Sequence, residues 1–156
     1  MTQAVAACEV KVSGQCACGA VQWSASQQPK SRFYCHCTIC QEFNQADYAD
    51  VLVFSSDAIE VVNEQKVVFR KFKAPPAVNR GVCVDCSSPV IETLSLPLFP
   101  KLTIIPSSTS KQADAYQPAA HLFYHRRKTE WQDTVRKYQS FLSSQLGFVI
   151  AIFSRR

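Results

Sequence analysis

Seven of the eight cysteines in this 156-residue chain stand in three tight clusters. Cys16 and Cys18 are one residue apart, Cys35, Cys37 and Cys40 form a C-x-C-x-x-C run, and Cys83 and Cys86 form a C-x-x-C pair. Thiolates packed this closely suit a soft or borderline metal ion, and zinc is the usual one. The two pairs Cys16/Cys18 and Cys83/Cys86 together offer four ligands, a closed tetrahedral set of the kind that holds a structural zinc. Cys35, Cys37 and Cys40 offer three and leave a position free, as catalytic zinc sites do. The expected cofactors are therefore two zinc ions per chain, one holding the fold and one taking part in chemistry.

Two other uses of clustered cysteine compete with zinc. An even count of eight would also allow disulfides, but C-x-C disulfide loops are strained, and the opening MTQAVAACEVKV has no basic segment followed by an apolar core. A cytoplasmic, reducing location is the expectation. An iron–sulfur cluster is the other metal reading. Cys8 stands apart and reads as a small buried hydrophobe. The formal charge of +5 falls to about +2 once seven thiolates and two divalent ions are counted, so net charge makes no case for a nucleic-acid partner. The most apolar stretch, Leu146 to Phe153, is far too short to span a bilayer.

These cysteines need a frame, and the chain between them reads mostly as short strands in one domain, residues 1–156. Glu9–Ser13, Ala20–Ala25, Val51–Ser55, Ile59–Asn63, Lys66–Phe72 and Lys101–Pro106 are rich in β-branched and aromatic residues. Pro75-Pro76, Ser87-Ser88-Pro89 and the stretch from Pro97 to Pro100 punctuate them as turns. Thr38 to Asp47 reads as a short helix directly after the middle cluster. A second helix is expected from Thr129, where Thr129 and Gln132 fit a capping box and Trp131, Val135, Tyr138 and Leu142 follow at helical spacing. The class is mainly β with a C-terminal helix and apolar tail over 129–156. One ion joining the two cysteine pairs would close a long loop and tie two sheets or hairpins together.

The order Gly14-Gln15-Cys16-Ala17-Cys18-Gly19-Ala20-Val21, then Cys35-His36-Cys37-Thr38-Ile39-Cys40, then Arg80-Gly81-Val82-Cys83-Val84-Asp85-Cys86, resembles the motifs of the glutathione-dependent formaldehyde-activating enzyme family, which also includes the CENP-V proteins. Pro118-Ala119-Ala120-His121 with Trp131 is similar to that family's P-x-x-H…W ending, and the resemblance runs over about residues 9 to 140. It implies a β-tent (Mss-four-like) fold of twisted antiparallel sheets. It implies structural zinc ligands at Cys16, Cys18, Cys83 and Cys86, and catalytic zinc ligands at Cys35, Cys37 and Cys40. The activity implied is condensation of formaldehyde with glutathione to S-hydroxymethylglutathione, a carbon–sulfur lyase reaction. Val82 and Ser87 stand where the family has Phe and Gly. A Gly there would turn the chain with φ > 0, so Ser87 implies a different local turn. Glu42 to Ala46 replaces a segment with a Ser-Gly pair beside the catalytic metal.

The residues themselves suggest what an open three-thiolate zinc would do. Its net charge of about −1 makes it a poor Lewis acid toward carbonyls and better suited to taking up a fourth thiol as thiolate, with glutathione the first candidate. His36, between two ligand cysteines, points to the opposite face in an extended segment. His121 reads as a structural histidine and Trp131 as core. Lys30, Arg32, Arg70, Lys71, Arg80 and the run His125 to Lys128 could clamp the carboxylates of glutathione, although a solvated face is the simpler reading for most of them. The alternative function is a non-catalytic zinc scaffold that binds another macromolecule. Such a scaffold needs only the four-cysteine set, so the intact three-cysteine run favours an enzyme.

Overall fold

A run such as Val51 to Phe54, apolar at consecutive positions, makes a strand only where both faces are covered. Leu52 and Phe54 on one face, and Val51 and Val53 on the other, are all buried. The computed structural model describes residues 12–154 apart from 71 and 73–76. Cys8, the start of the first predicted strand, Lys71 and the Pro75-Pro76 turn lie outside the described residues. The elements in chain order are β1 (Val12–Gln15), β2 (Gln22–Ala25), β3 (Ser31–Cys35), α1 (Thr38–Asn44), β4 (Ala49–Ser55), β5 (Ile59–Val62), β6 (Val67–Arg70), β7 (Val78–Cys83), β8 (Pro89–Leu94), β9 (Leu102–Pro106), β10 (Ala120–Leu122), β11 (Arg136–Lys137) and α2 (Phe141–Phe153).

The strands form two sheets. A three-stranded antiparallel sheet has the order β1-β2-β5, and an eight-stranded sheet has the order β11-β10-β3-β4-β9-β8-β7-β6. Pairing in the large sheet is antiparallel except at its end, where β10 runs parallel to both β3 and β11. One core lies between the sheets, with Val12, Trp23, Leu52, Phe54, Val90 and Ile105 buried together. A second core lies on the opposite face of the large sheet, where Phe33, Val51, Val53, Leu102 and Leu122 meet Phe148 and Ile152 of α2. The Phe33 and Phe148 rings are 5.2 Å apart.

The expected mainly β class holds, with β2, β4, β5, β6 and β9 falling inside or against the predicted strands. The strands β3, β7 and β8 lie outside those predictions because each carries a charged residue that turns inward: Arg32, Arg80 and Glu92. The helix expected from Thr129 is corrected. Residues 129–135 are held by other bonds: the Trp131 amide donates to Tyr124 Oη at 2.8 Å, and Lys137 Nζ donates to the Asp133 carbonyl at 3.0 Å. The chain then adds β11 to the large sheet, and the Tyr138 amide donates to the His121 carbonyl. Helix α2 starts twelve residues later than expected, at Phe141, and takes in the apolar tail. Ser140 caps it and exchanges hydrogen bonds with Ser143, so serine does the work that Glu or Gln does in the usual box.

Gly14 lets β1 of the small sheet lie close against the backbone of Thr109. A Cβ there would sit 2.3 Å from the Thr109 carbonyl oxygen, a backbone atom with little freedom to retreat. Gly14→Ala is expected to push β1 off the 107–109 turn at a cost of about 1–3 kcal/mol. The thermal midpoint should then fall by roughly 2–4 °C for each kcal/mol lost, as a calorimetric melt would measure.

Candidate functional site

The first cysteine group joins the two sheets. Cys16 follows β1 directly and Cys18 sits in the turn to β2, while Cys83 ends β7 and Cys86 sits in the turn to β8. Their four sulfurs all lie within 4.8 Å of one another, with Cys16–Cys18 at 3.6 Å and Cys18–Cys83 at 3.8 Å. Zinc–sulfur bonds of about 2.3 Å in a tetrahedron put sulfurs about 3.8 Å apart, so the group fits a zinc ion by size as well as by chemistry. Both turns are held by their own amides. Val21 N–H donates to Cys16 Sγ at 3.3 Å, and Ser87 N–H donates to the Cys83 carbonyl at 2.8 Å. Ser87 takes φ 58°, the left-handed conformation that was expected to be absent without glycine. The tight turn is kept because the Cys83 amide and carbonyl are both bonded across it, to Ser88 and Ser87, at the strain cost of a non-glycine residue. The hydrogen bond with Ser88 Oγ pulls the Cys86 thiol down to about 6. Burial pushes Cys16 up, but the bonds from Val21, Cys18 and Cys83 outweigh it and leave this thiol more acidic than usual.

The second group sits where β3 gives way to α1. Cys35 ends the strand, Cys37 is the helix N-cap, and Cys40 lies in the first turn; their sulfurs also fall within 4.8 Å of one another. Cys37 Sγ accepts from the Cys40 amide at 3.3 Å, which is the bond any N-cap side chain makes, here made by a sulfur that could also hold a metal ion. Hydrogen bonds from Cys35 and Cys40 bring the Cys37 thiol down to about 3, and the same pairing pushes Cys40 well up. A thiolate at Cys37 is thus ready to meet a cation. No fourth His, Cys, Asp or Glu ligand joins this group among the described residues. The set can hold a metal ion with a coordination position left over.

A buried ion pair stands on the same face of the large sheet. Arg80 of β7 and Glu92 of β8 are cross-strand partners, with Arg80 Nε 2.9 Å from Glu92 Oε2. Burial raises the Glu92 carboxyl to about 7; Arg80 lowers it and Cys37 raises it further. Arg80 in turn helps to hold Cys37 ionised. Sequence reasoning placed Arg80 among possible carboxylate clamps and missed Glu92 altogether. A lone Glu in a Val-Ile-Glu-Thr run carries no sign that it points inward.

Strand alternation sends His36 to the other face, as expected, and there it meets His121. His36 Nε2 lies 2.9 Å from His121 Nδ1, and His121 Nε2 lies 2.9 Å from Asp133 Oδ2. Both rings are essentially fully buried. A carboxylate only accepts, so His121 donates from Nε2, and its Nδ1 shares one proton with His36 Nε2. Burial holds His36 down at about 4 and keeps it neutral. Lys137 Nζ completes the chain on Asp133 Oδ1 at 2.5 Å. Gln41 Nε2 donates to the His36 carbonyl at 2.8 Å and to the Arg126 carbonyl at 3.0 Å, pinning the C-H-C segment to the end of β10. His121 is thus structural, as read from sequence, but its partners were not foreseen. Trp131 corrects the expectation of a core residue. It is half-buried and, with His36 and Tyr48, walls an open cavity of about 330 Å³.

The basic residues divide. Arg32 is buried in a two-pronged pair with Asp50, at 2.9 and 2.6 Å, and also donates to the carbonyls of Ala113 and Tyr116. Arg127 pairs with Glu130, and Lys128 lies 3.6 Å from Asp47. Four of the five Arg32 N–H groups are thus taken up within the fold, and Asp114 lies 3.6 Å from Nη2, so Arg32 serves the fold before any ligand.

Comparison with known proteins bears on this geometry. A family model described as "Glutathione-dependent formaldehyde-activating enzyme" matches residues 11–126. No curated protein matches the chain. A crystal structure of a Rhodobacter sphaeroides protein is similar with a TM-score of 0.51 and 15% identity, covering 64% of this chain and 87% of that one. At that identity the likeness concerns the fold alone.

The Asp133–His121–His36 chain predicts a graded response. Asp133→Ala leaves the buried His121 Nε2–H without an acceptor, at a cost of about 1–3 kcal/mol. Asp133→Asn retains an acceptor oxygen and should lose less. Nitrogen-15 histidine spectra are expected to show the His121 tautomer fixed in the parent and mixed in Asp133→Ala.

Proposed function

The chain belongs to the glutathione-dependent formaldehyde-activating enzyme family, and from that membership and the two cysteine groups we propose a zinc-dependent carbon–sulfur lyase type of enzyme, making and breaking the bond between a thiol sulfur and a small carbonyl carbon. Cys16, Cys18, Cys83 and Cys86 hold a structural zinc. Cys35, Cys37 and Cys40 hold a catalytic one. Glutathione is the thiol and formaldehyde the electrophile. The observation that carries the reading is the three-sulfur group itself, gathered at a strand-to-helix junction with no fourth protein ligand among the described residues.

When bound there, zinc supplies an open position at which a thiol is taken up as thiolate. The chain's own groups prepare that position. The Cys40 amide and the neighbouring thiols keep Cys37 ionised. Arg80 sets a positive charge nearby, offset by Glu92. In the forward reaction the substrate sulfur forms a bond to the carbonyl carbon, the carbonyl π bond breaks, and the proton lost by the thiol ends on the new hydroxyl oxygen. The reverse reaction restores thiol and aldehyde. Holding the two reactants together makes the encounter effectively unimolecular. Seven unpaired thiols among the described residues fit a reducing compartment, and we place the protein in the cytoplasm.

The division of labour between the two groups has a direct test. Gently purified protein is expected to carry two zinc ions per chain by elemental analysis. Cys83→Ser should unfold or strongly destabilise the chain, because it removes a ligand that ties β1–β2 to β7–β8. Cys37→Ser should lose one zinc and leave the circular dichroism spectrum and melt nearly unchanged. The opposite pattern would overturn the assignment.

The thiol is tested by calorimetry. Glutathione should bind the two-zinc protein with release of about one proton near neutral pH, because a thiol of pKa ~8.5 must arrive as thiolate. S-Methylglutathione keeps the peptide and both carboxylates but has a blocked sulfur, and should bind at least tenfold more weakly. Equal affinity for the two would show that peptide contacts, not the metal, make the site.

A further inference from the structure

Helix α2 reads FLSSQLGFVIAIF and has no charged residue along its length. One face is buried: Ser144, Gly147 and Ile152 are covered, and Phe148 and Ala151 pack on the second core. The opposite face is exposed and equally apolar, with Leu142 at 77%, Leu146 at 61%, Val149 at 38%, Ile150 at 52% and Phe153 at 60%. These residues follow at spacings of three and four, so they form one continuous stripe along the helix. A helix that is apolar all round is normally covered all round.

The stripe continues onto the loop between β8 and β9. Phe153 meets Phe99 edge-on at 5.9 Å, and next to Phe99 stands Leu98, wholly exposed at 109%. Leu98 also takes φ 58°, a left-handed conformation that costs a non-glycine residue of order 1 kcal/mol or more. A strained residue that holds a leucine out into water contributes nothing to the isolated chain.

We propose that this face, formed by Leu142, Leu146, Val149, Ile150 and Phe153 with Leu98, is the interface with a second copy of this chain, packed about a two-fold axis through α2. Two observations select that occupant. The exposed apolar surface of these six side chains is on the order of 700 Å² by their fractional exposure, close to the roughly 800 Å² that each partner gives to a standard stable interface. The stripe also has no charge with which to select a different partner or an anionic membrane surface, and a membrane-surface helix carries Lys or Arg on a polar face that α2 does not have. An uncharged apolar stripe is complementary to itself, as a two-fold interface requires. The residues of α2, though not Leu98, lie outside the 11–126 stretch that matches the family model.

The test uses the full-length, zinc-loaded chain. Analytical ultracentrifugation from about 1 to 100 μM should find a species of twice the 17.4 kDa chain mass. The double variant Leu146→Glu/Ile150→Glu should shift the dissociation constant at least a hundredfold toward monomer, with zinc content and circular dichroism unchanged. Should that variant misfold, hydrogen exchange on the parent decides: α2 amides gain protection between 1 and 100 μM while β1 amides do not. A parent chain that stays monomeric at 100 μM overturns the proposal, as does a dimer that the double variant leaves intact, or α2 protection independent of concentration. A monomer that sediments with phosphatidylglycerol vesicles would assign the face to a membrane instead.

Discussion

Everything in this molecule hangs on four sulfurs from two hairpin turns meeting at one point. Cys18 and Cys83 are 65 residues apart in the chain and 3.8 Å apart in space. The small sheet has only three short strands and packs one face on the large sheet, where Val12, Trp23 and Ala25 are buried, and the cysteine turn is a second tie between the two. The small sheet's register is that of the β1–β2 and β2–β5 pairing, and the turn that carries Cys16 and Cys18 meets the thiols of the β7–β8 turn. Closing so long a loop removes much of the unfolded chain's freedom, so a metal ion held by these four thiols would act on the whole fold and not only on its neighbours.

The other cysteine group depends on a different constraint, the alternation of a strand. Cys35 and Cys37 face one side of the large sheet and His36 the other. One short segment therefore presents thiols that could hold a metal ion on the α2 side, and on the far side a buried ring joined through His121 to Asp133. Neither side can shift without the other. Hydrogen bonds from Gln41 to the His36 and Arg126 carbonyls add a third anchor, so the loop that carries the three thiols is held from three directions. Preorganisation of this kind spares a site the cost of ordering itself when substrate arrives.

Buried charge is used sparingly and always in pairs. Arg32 with Asp50, and Arg80 with Glu92, place guanidinium groups inside the large sheet, where an unpaired charge would cost several kcal/mol. The Arg32 pair is joined by two backbone carbonyls and serves the fold. The Arg80 pair makes no good hydrogen bond through Nε and acts electrostatically on Cys37, which places it with the site.

The cysteine spacing by itself determined which thiols cluster, which group is closed and which is open, because ligand geometry constrains short spacings tightly. Alternating and β-branched runs were likewise enough to find β4, β5 and β9, where local pattern and burial agree. Tertiary structure alone decided the rest. The Thr129 cap lost to Ser140 because Tyr124, Lys137 and the edge of β10 offered the intervening backbone better partners than a helix would. Ser87 took a left-handed turn because the amides around Cys83 needed it. The strands with Arg32, Arg80 and Glu92 could not be read as buried without knowing that each charge finds its partner across the sheet. The link from His36 to His121 and Asp133 spans nearly a hundred residues and comes from a parallel pairing of β3 with β10. No local signal encodes such a pairing, because it depends on which strand edge is free when the rest of the sheet has formed.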